Sequence, residues 1–242
     1  MISKLILAWK NHYNHDWVPV GKLSYADNKY FFEYTESAKK FYREGQFAPF
    51  SHMIKVDEHY ESEELFPIFK NRLLPKSRPE YNNYLNWLKL SEGNVSPISE
   101  LARSGGIRAT DDLQLFPYPE QKNGNYEVTF FSHGIRYLPP SYIERLNNLR
   151  VGDKLYIMSD LQNDYDSHAL VFRTNDPVEI VGYAPRFFSF DFNTLIRINN
   201  PENIFVKVEQ VNCNAPSQFR LLCKLTTLWP SNFKPFKDSV FD

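Results

Sequence analysis

The residues best suited to chemistry in this chain are Asn163-Asp164-Tyr165-Asp166-Ser167-His168, followed by Ala169-Leu170-Val171-Phe172 and then Val181-Gly182-Tyr183-Ala184-Pro185-Arg186. The pattern reads as a polar loop, a strand, a turn, a second strand and the start of a helix. Tyr165 lies between two aspartates at the loop tip, and Arg186 stands at the end of the second strand. An aromatic face, carboxylate acceptors and a cation are thus offered to one small ligand. That combination binds; it holds no nucleophile paired with a base.

No catalytic motif competes with this loop. No Ser or Cys sits in a nucleophile elbow. Arg103-Ser104-Gly105-Gly106-Ile107-Arg108 lacks the Gly-Lys-Ser/Thr ending of a phosphate loop and reads as a helix stop whose arginines face solvent, nucleic acid or a partner. Glu63-Glu64 reads as first-turn helix acids. His12, His15 and Asp16 form a short cluster, but a zinc site needs further protein donors. The expectation is a non-catalytic protein with no metal and no cofactor.

The 242 residues allow one large domain or two modest ones. Residues 1–125 carry 16 basic and 16 acidic side chains, and residues 126–242 carry 12 and 13. Neither half has the basic excess of a protein that coats duplex DNA, so any nucleic-acid contact must be confined to one site. The N-terminal apolar run is too short to span a bilayer and lacks a cleavage signal, and no other segment is long enough. A soluble, cytoplasmic protein with no membrane partner is expected. Cys213 and Cys223 are expected as reduced core thiols, with a disulfide open if their strands form a hairpin.

These residues must be positioned by the elements around them. The first half reads as α+β. Val18 to Tyr34 is a hairpin turning at Asp27-Asn28. Ser62 is expected to cap a helix through Leu74, with Pro67 in its first turn. Tyr81, Tyr84, Leu85 and Leu88 have helical spacing. Ser96-Pro97 opens a third helix that Gly105-Gly106 stops. Leu113 to Phe116 closes the small sheet. Pro117, Pro119, Lys122, Asn123 and Gly124 read as a linker, giving domains at 1–120 and 126–242. The second domain reads as mainly β. Six short strands (Tyr126–Tyr137, Lys154–Ser159, Ala169–Thr174, Val178–Tyr183, Ile204–Val211 and Leu221–Leu228) and one or two short helices predict a small closed or nearly closed barrel.

Residues 126–229 resemble a HIRAN domain. Gly134-Ile135-Arg136-Tyr137 on the first strand, Asn163-Asp164-Tyr165-Asp166 leading into Ala169-Leu170-Val171, and Val181-Gly182-Tyr183-Ala184-Pro185-Arg186 carry the resemblance. It implies an oligonucleotide-binding-like (OB-like) barrel, and single-stranded DNA or a DNA 3′ end as the ligand. Arg136, Tyr137, Asn163, Tyr165, Asp166, Tyr183 and Arg186 are then the nucleic-acid-binding residues. The chain departs from the animal pattern at Tyr183, which replaces a histidine, at Arg186, which replaces a lysine, and at Asp164, which replaces a proline. Residues 18–116 resemble the N-terminal region of HipA-type toxins. Val20-Gly21-Lys22-Leu23-Ser24, Phe32-Glu33-Tyr34, the run from Leu65 to Leu74 and that from Ile98 to Gly106 carry it. No kinase motif follows. This second resemblance implies a toxin–antitoxin or phage-defence setting and a second reading, a module that docks on and regulates a separate HipA-like kinase.

On the first reading, Tyr137 and Tyr165 stack on bases at about 1–3 kcal/mol each. Arg136 and Arg186 grip phosphate with paired donors. Asp166 accepts from a terminal hydroxyl and repels a continuing phosphate, which favours a strand end. Other roles stay open. Asn163 and Asp166 suit an Asx turn. Tyr183 can be half-buried core, and Arg186 can cap a strand or pair with Asp166.

Overall fold

The structure, a computed structural model, describes residues 4–13, 16–91 and 95–236. The chain forms two compact units, one from residues up to Asn86 with Leu90–Tyr118, the other from Trp87–Lys89 with Pro119–Phe236.

The first unit is built on an antiparallel sheet of β1 (Lys4–Lys10), β2 (Trp17–Ala26), β3 (Lys29–Tyr34), β4 (His59–Ser62) and β5 (Leu113–Pro117). Their order is β4-β3-β2-β1-β5. Asp27 and Asn28 both take positive φ, 49° and 62°, the twist that a two-residue hairpin turn requires. Strict alternation in β3 buries Tyr30, Phe32 and Tyr34 on one face, where they meet Leu5, Leu23, Phe69 and Leu101.

Among the described residues between 4 and 118 there are four α-helices, against the three expected. The additional one, α1 (Glu36–Arg43), is capped by Thr35, whose Oγ1 accepts from the Ala38 N–H at 3.1 Å. The helix expected from Ser62 is only α2 (Pro67–Lys70). Ser62 instead ends β4 and accepts from the Glu64 N–H at 3.1 Å, while Pro67, lacking a donor, can only begin a helix. Next come α3 (Tyr81–Trp87) and α4 (Pro97–Ser104). Ser96 and Ser99 cap α4 reciprocally, and Gly105 ends it at φ 73°.

The segment read as a linker is partly strand. β6 (Glu120–Lys122) and β7 (Asn125–Phe131) form a hairpin around Asn123 and Gly124, both at positive φ. β8 (Lys154–Ser159), β9 (Leu170–Arg173), β10 (Ile180–Tyr183), β11 (Phe205–Val211) and β12 (Leu221–Leu228) complete the second sheet. Its order is β10-β9-β8-β11-β12-β7-β6. The barrel expected from the sequence is not closed by a ladder. Among the described residues an isolated bridge between His133 and Tyr183, two backbone hydrogen bonds of 2.9 Å, joins the chain beyond β7 to β10, and the Ser132 hydroxyl adds a bond to the Tyr183 carbonyl at 3.3 Å. Two helices complete the unit, α5 (Pro140–Asn147) and α6 (Arg186–Ile198). Phe188 and Phe192 of α6 stack at 5.6 Å, and Phe192 meets Phe130 of β7 at 5.5 Å, forming the aromatic core.

Both cysteines are free. Cys223 is buried, but Cys213 is exposed rather than in the core. No described helix is long and apolar enough to cross a membrane.

Candidate functional site

Two glycines allow the chain beyond β7 to lie directly on β10. A Cβ on Gly182 would stand 2.0 Å from Ser132 Oγ and 3.0 Å from the His133 carbonyl oxygen, and its φ of 142° disfavours any side chain. A Cβ on Gly134 would stand 2.8 Å from the Tyr183 ring. The Gly134–Tyr137 segment was expected on a strand. Gly134 instead turns left-handed at φ 73°, and Ile135–Tyr137 form a 3₁₀ turn. We expect Gly182→Ala to destabilise the second unit by about 3 kcal/mol through overpacking and backbone strain, measured by thermal denaturation. An unchanged midpoint would show that Ser132 can move aside.

The loop between β8 and β9 is held by side chains. Tyr183 donates its hydroxyl to Asp160 Oδ2 at 3.2 Å, and Asn163 Nδ2 donates to the same oxygen at 3.0 Å. Asn163 Oδ1 accepts from the N–H groups of Tyr165 and Asp166, each at 3.0 Å, and Asp166 Oδ1 accepts from the His168 N–H at 2.9 Å. Asn193 of α6 donates to the His168 carbonyl at 2.8 Å. Asn163 and Asp166 therefore shape the turn, the second of the roles open to them. Burial first, and the Asp160 carboxylate second, raise the pKa of Tyr183 and keep its hydroxyl a donor. Desolvation pulls His133 down to about 4, so its imidazole stays neutral.

What this bracing presents outward is aromatic and cationic. Tyr165 at the loop tip is 85 % exposed, and Tyr137 is 74 % exposed. The exposed Arg136 lays its guanidinium 4.5 Å from the Tyr137 ring centroid, and its Nη2 donates to the Tyr137 hydroxyl. Arg186 is half-buried and opens α6, three residues after Tyr183.

Hydrogen bonds thus connect Tyr183, Asn163, Tyr165 and Asp166 into one network. The turn carrying Arg136 and Tyr137 follows the Gly134 contact on Tyr183. Asp160, which accepts from both Tyr183 and Asn163, was missed. Its only signal was an acid three residues before Asn163 at a strand end. Among the described residues no group of three His, Cys, Asp or Glu side chains could hold a metal ion. His12 lies 3.7 Å from Asp112, and His15 is outside the described residues.

The carboxylates of this region are largely engaged in building it. The groups left facing outward are two phenol rings, a guanidinium and the exposed carboxylate of Asp164; the rings and the guanidinium suit stacking on a flat ligand and donation to an anion.

No curated protein matches the chain. Two solved structures are similar to part of it. A crystal structure of a protein from Lactobacillus plantarum covers 43 % of this chain and 98 % of its own, at 23 % identity and a TM-score of 0.33. The HIRAN domain of human HLTF covers 44 % of this chain and 80 % of its own, at 15 % identity and a TM-score of 0.31. Residues 125–226, and with them every residue of the network around Asp160, match the family model of the HIRAN domain.

Proposed function

We propose that the second unit binds single-stranded DNA, takes hold of its 3′ end, and does so without a catalytic step. One observation carries this reading: within the HIRAN-matching segment, Tyr137 and Tyr165 stand exposed on tightly hydrogen-bonded turns, with Arg136 lying on one of the rings. Exposed rings on rigid supports are stacking platforms for bases, and each loses little conformational freedom on binding. Arg136 donates to a phosphate between stacked bases. Asp166 uses Oδ1 to hold the loop, which leaves Oδ2 as the acceptor for a terminal hydroxyl. The exposed Asp164 beside it repels any phosphate continuing past that point, a physical basis for preferring an end.

Fluorescence anisotropy with labelled oligonucleotides tests the proposal. A 3′-hydroxyl single strand should bind about tenfold more tightly than its 3′-phosphate counterpart, the equivalent of about 1.4 kcal/mol. Blunt duplex should bind more weakly still. Arg136→Ala should weaken the 3′-hydroxyl strand about tenfold or more through the lost charge-assisted hydrogen bond. Equal or absent binding of all three ligands, unaltered in the Arg136→Ala, Arg186→Ala double variant, sinks it.

A further inference from the structure

On the outer face of the second sheet three lysines stand in one cross-strand row. Lys154 of β8 is in register with Lys207 of β11, and Lys207 with Lys224 of β12. Neighbouring strands lie about 4.8 Å apart. Like charges directly opposite each other destabilise a sheet, so such a row works against the fold that carries it. Lys224 is relieved by Glu127, 2.8 Å away. Lys154 and Lys207 are exposed and make no ion pair among the described residues. Glu202 borders the shallow hollow beside Lys154 without pairing with it. The chain as a whole has a formal net charge of −1, so a general basic excess does not explain the row.

Aromatic rings lie among these cations. Lys154 Nζ is 5.0 Å from the Tyr156 ring centroid and 5.4 Å from that of Phe205. Arg173 of β9 is in register with Tyr156, and its guanidinium lies 5.0 Å from the same ring. Phe205 is 40 % exposed. Cation–π contacts of this kind hold flexible cationic side chains in place; Arg173 gives one N–H to the Thr174 carbonyl at 3.0 Å and keeps the others for a ligand. Regular cation spacing across strands complements a chain of phosphates. A bilayer would instead be met by apolar side chains reaching beyond the lysines.

We infer that Arg173, Lys154, Lys207 and Lys224 form a second, sequence-independent track for the phosphate backbone of a single-stranded nucleic acid, with Tyr156 fixing Arg173 and, together with Phe205, Lys154. This rests on reading the unit as a single-strand binder, and the two can fail separately.

The full chain, a Lys154→Ala/Lys207→Ala variant and a Tyr137→Ala/Tyr165→Ala variant are titrated with short and long oligothymidylates (about 6 and about 20 nucleotides) while salt rises from about 50 to about 200 mM. For the long strand the lysine variant should lose about 1.4 from the slope of log affinity against log salt, about 0.7 per lysine. The short strand should suffer mainly from loss of the tyrosines. Because the lysines repel, the lysine variant should keep or raise the thermal midpoint. Should it fail to fold, Lys207→Gln alone should lose about 0.7 from the slope. An unchanged long-strand slope overturns the inference. So does binding of phosphatidylserine vesicles that the lysine variant loses while its oligonucleotide binding stays intact. A tyrosine variant that binds both strands normally, beside a lysine variant with the reduced slope, supports the track and overturns the end-binding site.

Discussion

Replacing Tyr137 and Tyr165 together with alanine should lower the proposed affinity for a single-stranded oligonucleotide by about 30-fold at the least, and by far more if both rings stack fully. Each base–aromatic contact contributes about 1–3 kcal/mol, so the pair accounts for about 2–6 kcal/mol. Fold stability should hardly respond. Both rings are mostly in solvent, and the turns beneath them are made by other groups: the Asn163 side chain, the Asp166 side chain and the backbone after Gly134. Phenylalanine at either position tests the mechanism. Tyr165→Phe keeps the ring and should bind within about threefold of the parent, as stacking is indifferent to the hydroxyl. Tyr137→Phe also loses the hydroxyl that accepts from Arg136, and should show a larger effect. Isothermal titration alongside thermal melts checks both. A double alanine variant that binds within twofold of the parent removes stacking from the account.

Asp191→Asn should stabilise the second unit above neutral pH, by up to roughly 4 kcal/mol less the cost of burying the amide's N–H groups, and flatten its dependence on pH. Asp191 is 2 % exposed within α6, and burial raises its pKa from 3.8 to about 7. The Phe236 N–H, donated to both carboxylate oxygens at 2.9 and 3.2 Å, offsets only part of that burial. The sign follows from linkage. An acid whose folded pKa is raised holds its proton longer in the folded state. It therefore opposes folding by nothing below about pH 4, increasingly as the pH climbs towards 7, and fully beyond that. At 1.36 kcal/mol per pKa unit the shift corresponds to roughly 4 kcal/mol. An amide keeps an oxygen for the Phe236 N–H and carries no charge. Melting temperatures taken between about pH 4 and pH 8 should converge at the acid end and differ by on the order of 10 °C at the alkaline end. Parallel curves would show that Asp191 titrates normally. The buried group also matters to architecture: it fastens Phe236, whose ring packs 4.7 Å from Phe187 and 5.9 Å from Phe188 at the start of the helix that Arg186 opens.

Much of the local structure could be read without coordinates. The Asp27-Asn28 hairpin, the α4 cap at Ser96 and the strands Lys154–Ser159 and Leu221–Leu228 each follow from turn chemistry, capping or alternation within a few residues. The loop from Asn163 to Asp166 was legible in the same way, as an Asx turn with a tyrosine at its tip. The sequence places Gly134 on a strand, because one glycine cannot reveal from sequence that the chain turns left-handed beside a tyrosine ring. Helix α1 was passed over although Thr35 and Glu36 signal its start. Its eight residues follow directly on β3, whose aromatic alternation dominates the pattern there.

The sequence by itself determined most of the longer strands, several of the turns, and that a tyrosine, aspartates and an arginine share one region. Those properties depend on backbone preferences and side-chain periods that act within about ten residues. Only the tertiary structure decided that Tyr183 and Asn163 meet at Asp160, that Gly182 leaves room for Ser132, that three lysines align across β8, β11 and β12, and that Asp191 holds Phe236. Each joins groups far apart in the chain, 23 residues for Tyr183 with Asp160 and 45 for Asp191 with Phe236. Strand order and register choose such partners, and local preference carries no information about either.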